Sequence, residues 1–203
     1  MFSIYPTHRA VIIGLVLIGF LAIQGCSGRD SAIAELEKNK IAVTIDGLSA
    51  TASQGKTDMA KLLLKAGVSL KGKDSRGSTP LIEASWAGHQ EMVKMLLDEK
   101  ADVNEASGTA ISPLLAAVSQ RHEQIALMLL ERGANPNAID SKGTSPLMEA
   151  AWQGNVAVAK ALIAKGADVK HIRPSDRLTP LAMAQAAKQQ AAIEVLQASG
   201  ATP

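Results

Sequence analysis

Residues 74–89 read Asp74-Ser75-Arg76-Gly77-Ser78-Thr79-Pro80-Leu81-Ile82-Glu83-Ala84-Ser85-Trp86-Ala87-Gly88-His89. The stretch holds a turn, a helix start, a short helix and a stop. The Thr79 hydroxyl can cap orphan amides, Pro80 sits where a missing N–H costs nothing, and Leu81 opens a buried face. Gly88 breaks this helix from the next, which carries apolar residues at helical spacing: Met92, Val93, Leu96 and Leu97. The spacing predicts one helix over 80–87 and a second over 90–99.

The helix start recurs along the chain. Thr79-Pro80-Leu81, Ser112-Pro113-Leu114, Ser145-Pro146-Leu147 and Thr179-Pro180-Leu181 place their prolines 33, 33 and 34 residues apart. Periods of this size mark stacked supersecondary units. Gly67, Gly133, Gly166 and Gly200 follow apolar stretches as left-handed helix ends require, with Lys100 at the matching place in the unit that lacks glycine. This marker extends the array upstream, to a unit near residues 46–73 without a Thr-Pro start. Gly88 and Gly154 separate the helices of their units, and Arg121 and Lys188 stand where glycine is wanted, so those turns must be strained or formed differently. The later stripes Ile125, Leu129, Leu130 and Val158, Leu162, Ile163 are core.

Residues 74–89, with Glu91, Val93-Lys94, Leu96-Leu97 and Ala101-Asp102-Val103-Asn104, resemble the ankyrin repeat, and the resemblance covers 46–203. It implies an all-α solenoid of about five helix-turn-helix units with short β-hairpin-like loops, at about 46–73, 74–106, 107–139, 140–172 and 173–203. The histidine usual after Thr-Pro-Leu is replaced by Ile82, Leu115, Met148 and Ala182, which removes a polar contact that braces the turn. His89 and His122 are expected to brace the inter-helix turns. Gln185, Lys188, Gln189, Gln190 and Gln197 put polar groups where an internal repeat would meet a neighbour, as a closing unit needs. Ala32–Asn39 is expected to form a packing helix leading through Ile41-Ala42-Val43 into the array.

The first 25 residues read as an export signal. A polar start ending in His8-Arg9 precedes 14 apolar residues, Ala10–Ile23, the length of a signal-peptide core and less than the roughly 20 that a spanning helix needs. Residues 10–28 carry no charge, so an uncleaved inner-membrane signal anchor is the alternative. Leu21-Ala22-Ile23-Gln24-Gly25-Cys26 resembles the lipobox of bacterial lipoproteins. That implies cleavage before Cys26, lipidation of its sulfur and acylation of its amine, with 26–45 as tether and packing segment. Several acyl chains anchor where one would not. Ser27 rather than Asp follows the cysteine, which by the same resemblance sends the protein to an outer membrane, facing the periplasm. Cys26 is the only cysteine, so no intramolecular disulfide forms, and the plainer reading is a free or buried thiol.

Composition narrows function by exclusion. The formal charge is +2, and without residues 1–25 it is 20 basic against 19 acidic residues, which predicts no nucleic acid partner. His89, His122 and His171 are widely spaced and no His-Glu-x-x-His or paired-Cys pattern occurs, so no metal is expected. Neither a Gly-x-Ser-x-Gly elbow nor a phosphate loop is present. No catalytic residue, cofactor or small-molecule substrate is predicted, and a monomer is expected.

The resemblance implies instead a protein partner, held by hairpin tips and first-helix surfaces lining a concave groove. Trp86 and Trp152 are the only aromatic residues after Cys26, and each lies six residues after its repeat's proline; the matching places hold Ser53, Ser119 and Ala186. Glu83 and Glu149 lie three residues before each Trp, on the same helix face. Two repeats of displacement set these pairs about 20 Å apart. Tryptophans so placed suit interface anchors, and the carboxylates favour a basic or amphipathic segment; equally, each Trp can simply cover an inter-repeat seam. The tip residues Ser75, Arg76, Ser78, Ser141, Lys142 and Thr144 join this surface by position. The expected function is a membrane-tethered adaptor in the bacterial cell envelope, or alternatively a periplasmic immunity protein that neutralises a delivered toxin.

Overall fold

Hydroxyl caps start the first helix of every repeat. In the computed structural model, which describes the backbone of residues 23–201 and the side chains of 28–201, the Oγ1 of Thr79 accepts from Ile82 N at 3.2 Å. Ser112, Ser145 and Thr179 accept likewise from Leu115, Met148 and Ala182. Each cap satisfies one orphan amide and is worth about 1 kcal/mol. The unit without Thr-Pro has a cap too: Thr44 accepts from Gly47 N at 3.1 Å, so its helix begins at Ile45.

Eleven helices result among the described residues: α1 (Ile23–Lys38), α2 (Ile45–Ser53), α3 (Thr57–Lys65), α4 (Pro80–Ala87), α5 (Gln90–Asp98), α6 (Pro113–Ser119), α7 (Glu123–Glu131), α8 (Pro146–Gln153), α9 (Val156–Ala164), α10 (Pro180–Ala186) and α11 (Gln190–Ala198). From α2 onward they form five helix pairs, the first helices stacked on one another in one layer and the second helices in the other. Two leucine rows run through the stack. Leu48, Leu81, Leu114, Leu147 and Leu181 come from first helices, Leu63, Leu96, Leu129, Leu162 and Leu196 from second helices, and all ten are buried. Small Ala and Val residues between them let the helices approach closely, so a core with almost no aromatic residue is filled.

The second helices stop at left-handed residues. Gly67, Gly133, Gly166 and Gly200 have φ between 85° and 97°, and Lys100 takes the same conformation at 69°. Arg121 and Lys188, at the turns between helices, stand at φ 63° and 56°. These side chains accept a conformation that costs an L-residue about 1–2 kcal/mol. The surrounding stack compensates.

No strand forms among the described residues. The tips are hairpin-like through single backbone pairs, such as Asp74 N to Ser78 O at 2.8 Å and Asp140 N to Thr144 O at 3.1 Å, and neighbouring tips are joined by Gly108 N to Gly77 O and Ser141 N to Thr109 O. Behind them, Asn104 donates to Gly133 O and accepts from Asn135 N, and Asn137 repeats the pattern with Gly166 O and Asp168 N. The repeats are therefore tied by hydrogen bonds as well as by apolar burial.

Helix α1 buries Ala32 and Leu36 against α3 and runs antiparallel to it. Its N-terminal end, at Gly28 and Arg29, lies against Lys65 and Gly67, while Asn39 and Ile41 share a cleft with residues 56–59 at the other end of α3. Second helices of consecutive repeats do not pack this way round. This helix closes the stack, and residues 41–44 return the chain to the start of α2. The first buried side chain described is Ala32 and the last is Ala201, so residues 27–203 contain the whole described core. At the other end Gln185, Lys188, Gln190 and Gln197 face solvent, but Gln189 turns inward to the neighbouring repeat, contrary to its expected place on the outer face.

Residues 1–22, where most of the expected export signal falls, lie outside the described residues. The backbone of Cys26 falls in α1, and its side chain also lies outside them. No described helix is long and apolar enough to cross a membrane.

Candidate functional site: the tip and first-helix face

Each first helix is anchored by its Pro-Leu end, so the residue six beyond the proline falls in its last turn, away from the core. Trp86 and Trp152 hold that place on α4 and α8 and are 46% and 47% exposed. A core tryptophan would not be. Trp86 borders a cleft of about 310 Å³ whose floor and walls include Ile82, Glu83, Arg76, Thr109 and Ile111. The cleft joins one first helix to the tips of two repeats.

Charge in this cleft is internally balanced. The Arg76 guanidinium reaches Asp74 at 3.0 Å and Glu83 at 3.1 Å, and the hydrogen bond to Asp74 with the charge of Glu83 raises its pKa. Glu83 is therefore not the free carboxylate that its helix position suggested; the tip folds Arg76 back over it. Burial works to raise the pKa of Asp74, yet hydrogen bonds from Ser78 N and from the Arg76 side chain and amide outweigh it and hold the carboxyl below its ordinary value. Its Oδ1 accepts from both amides, which sets the tip's shape.

The equivalent residues of the fourth repeat are arranged differently. Glu149 accepts from Gln153 Nε2 at 2.9 Å. Its charge, after the hydrogen bond to Asp176 and the charges of Asp176 and Asp140, helps to raise the pKa of Arg173. Lys142 makes no ion pair among the described residues. It borders a mainly apolar cleft of about 560 Å³ with Ile139, Ser141, Gly143 and Pro174. Ile139 and Ile172, 43% and 42% exposed, join the candidate surface although the sequence reading passed over them. They precede the tips by one residue, where the two earlier repeats have Lys73 and Ala106. Comparing these places along the period would have exposed two isoleucines with no helix to hide in.

Behind the tryptophans a row of side chains ties each first helix to the next repeat. Nε2 of His89 donates to Ser53 O at 3.0 Å, and Nε2 of His122 to Trp86 O at 3.1 Å. Gln189 does the same to Trp152 O at 3.4 Å. At the third seam, where the glycine is replaced by Arg121, the donor is Gln153, to Ser119 O at 3.2 Å. The carbonyl at the tryptophan position is thus satisfied in every repeat that has a successor, and the histidines brace the turn of the preceding repeat.

Residues 20–107 and 106–172 match the family model for ankyrin repeats in three copies. More than half of the chain is covered. The chain belongs to the ankyrin-repeat family. Among curated proteins no sequence matches it. The fifth ankyrin repeat lies beyond the matched residues, and its tip is one residue longer: Arg173 N pairs with Leu178 O, across six residues where the second and fourth repeats use five. Its helices α10 and α11 keep the cap and both leucines. Among the described residues no cluster of His, Cys, Asp or Glu is placed to hold a metal ion. Ankyrin-repeat chains are typically interaction modules that bind proteins rather than enzymes.

Proposed function

We propose that this ankyrin array is a membrane-tethered binding module of the bacterial cell envelope, which holds a partner protein along its tip and first-helix face. The observation that carries the reading is the pair of half-exposed tryptophans at equivalent places on α4 and α8. Tryptophan dominates binding energy where it is ringed by other contacts, and here each stands on a rigid helix. Arg76, Glu83, Glu149 and Lys142 form the polar surround, and Ile139 and Ile172 widen the apolar surface at the tips. Because Arg76 already neutralises Glu83, an apolar segment suits the second-repeat cleft better than a basic one.

The tether is Cys26, lipidated after cleavage before it, as the lipobox-like residues 21–26 imply. The Cys26→Ala chain is then expected to keep its signal, and so run larger than the wild type, and to lose incorporation of labelled fatty acid; a variant unchanged in size or still labelled refutes lipidation. For the binding face, wild-type and Trp86→Ala/Trp152→Ala proteins are compared in pull-downs from envelope extract. Loss of a specific partner supports the reading, and undiminished recovery removes the tryptophans as anchors.

A further inference from the structure

Four equivalent loops follow the second helices, and their charges differ. Residues 65–73 carry Lys65, Lys71 and Lys73 and no acid, whereas residues 98–106 carry Asp98, Glu99, Asp102 and Glu105 against Lys100. Residues 131–139 hold Glu131 and Arg132, and residues 164–172 hold Lys165 and Lys170 against Asp168. The loop without acid is the one beside the start of α1. There the Arg29 guanidinium lies over Gly67, 3.7 Å from where a Cβ would stand, and the Lys65 side chain runs past Gly28.

The acids nearest this loop are taken up at the tip, Asp74 by Arg76 and Asp46 by Ser75. Arg29, Lys65, Lys71 and Lys73 make no ion pair among the described residues. Asp30 is next to Arg29 in sequence, but it lies two residues from buried Ala32 and so on nearly the opposite side of α1. Val43, an exposed apolar side chain, shares a cleft of about 270 Å³ with Arg29 and Lys71. Three cations, Arg29, Lys65 and Lys71, and one apolar side chain therefore meet at one corner of the molecule, three residues along the helix from Cys26, with Lys73 two residues farther along the loop toward the tip.

We propose that this corner docks on a bilayer bearing anionic phospholipids, its cations taking up headgroup phosphates and Val43 meeting the interface. The proposal rests on the reading of Cys26 as the lipid-bearing residue, because that places this corner and no other against the membrane. Each Lys or Arg brought to an anionic surface strengthens partitioning about fivefold. The attraction fades within about 8 Å at physiological salt, so cations of the distant repeats add little.

Residues 27–203 lack the acylation site and retain the described core, which lets the surface contact be measured without the anchor. This chain is expected to sediment with vesicles of phosphatidylglycerol mixed with phosphatidylcholine and not with phosphatidylcholine alone. Lys65→Gln/Lys71→Gln/Lys73→Gln should lower its partition coefficient at least about twentyfold, the effect of the two corner lysines, with an unchanged circular dichroism spectrum. Lys160→Gln/Lys165→Gln/Lys170→Gln makes the same change in net charge at exposed sites and should leave the coefficient within about twofold. Equal losses in the two triple variants, or equal binding to both vesicles, overturn the proposal. So does saturable binding of inorganic phosphate that displaces the chain from vesicles at matched ionic strength, which would make the corner a discrete phosphate site. Lipidation is read separately, from the Cys26→Ala chain in cells, so either claim can fail while the other stands.

Discussion

The imidazole of His122 donates from Nε2 to the backbone carbonyl of Trp86, 3.1 Å away and one repeat back. A carbonyl only accepts, so the Nε2 proton is fixed by the contact. The bond satisfies a helix-end carbonyl and couples the exposed tryptophan to the next repeat. His122→Ala is expected to lose about 1–2 kcal/mol in urea unfolding and to broaden or shift Trp86 fluorescence. His122→Gln should recover most of this, because Gln189 serves Trp152 in the same way. Equal losses in the two variants would show that ring packing, not the hydrogen bond, is what matters.

The same histidine explains a glycine. A Cβ on Gly55 would stand 2.7 Å from the His89 ring, and one on Gly88 would come closer still to His122. Both glycines also have φ near +70 to +80°. Gly88→Ala should therefore cost about 2–4 kcal/mol, combining overlap with left-handed strain. A thermal melt shifted by less than the single-cap variant Thr79→Ala would contradict this.

At the third seam the logic is inverted. Arg121 brings a Cβ to the place of Gly88, Asn155 replaces the histidine and turns back to cap Val158 N at 3.0 Å, and Gln153 takes over the carbonyl. The exchange leaves Gln153 Oε1 buried without a partner. Asn155→His alone should destabilise by about 1–3 kcal/mol through overlap and loss of the cap. Adding Arg121→Gly should restore much of that, a coupling that a double-mutant cycle measures directly. Additive effects would disprove the link between the two sites.

Lys100 ends α5 at φ 69° where four other repeats have glycine, and its side chain is exposed. Lys100→Gly relieves the left-handed penalty and gives back part of it as chain entropy, for a net gain of about 0.5–1 kcal/mol. Unchanged or lower stability would mean that the lysine stem contributes packing that its exposure conceals.

Acid should weaken the tips first. The pKa values of Asp74, Asp46 and Asp176 are all lowered in the fold: Asp74 by the hydrogen bonds that outweigh its burial, Asp46 chiefly by the Ser75 hydroxyl, and Asp176 chiefly by Arg173. A carboxyl with a depressed folded pKa contributes stability that is complete above its unfolded value, about 3.9, and lost as pH falls through the folded value. Stability is thus expected to be flat near neutrality and to drop below about pH 4. Asp74→Asn should lie lower at pH 7 and show a shallower acid limb.

Periodicity made most of the fold legible. The hydroxyl-Pro-Leu starts and the glycine stops are local signals, and local chemistry decides where such helices begin and end. The direction of α1 was not legible, because antiparallel packing against α3 depends on Ala32 and Leu36 finding a surface that no local motif encodes. At the site, the exposure of Trp86 and Trp152 followed from their place in the repeat. The ion pair of Arg76 with Glu83 did not, since it joins a tip to a helix through a tip geometry set by Asp74. Gln153 escaped for a related reason: its role exists only because Arg121 bars the usual donor.

The reversed course of α1 also bears on how this protein can evolve. A repeat array lengthens by duplicating units that present the same face to their neighbours. A unit added ahead of α2 would need to replace α1 and would separate residue 26 from the first loop. Growth is open within the array and at its C-terminal side, while the N-terminal unit is held to one lineage of sequence. Differences in repeat number among descendants of this gene should therefore accumulate away from the α1 end.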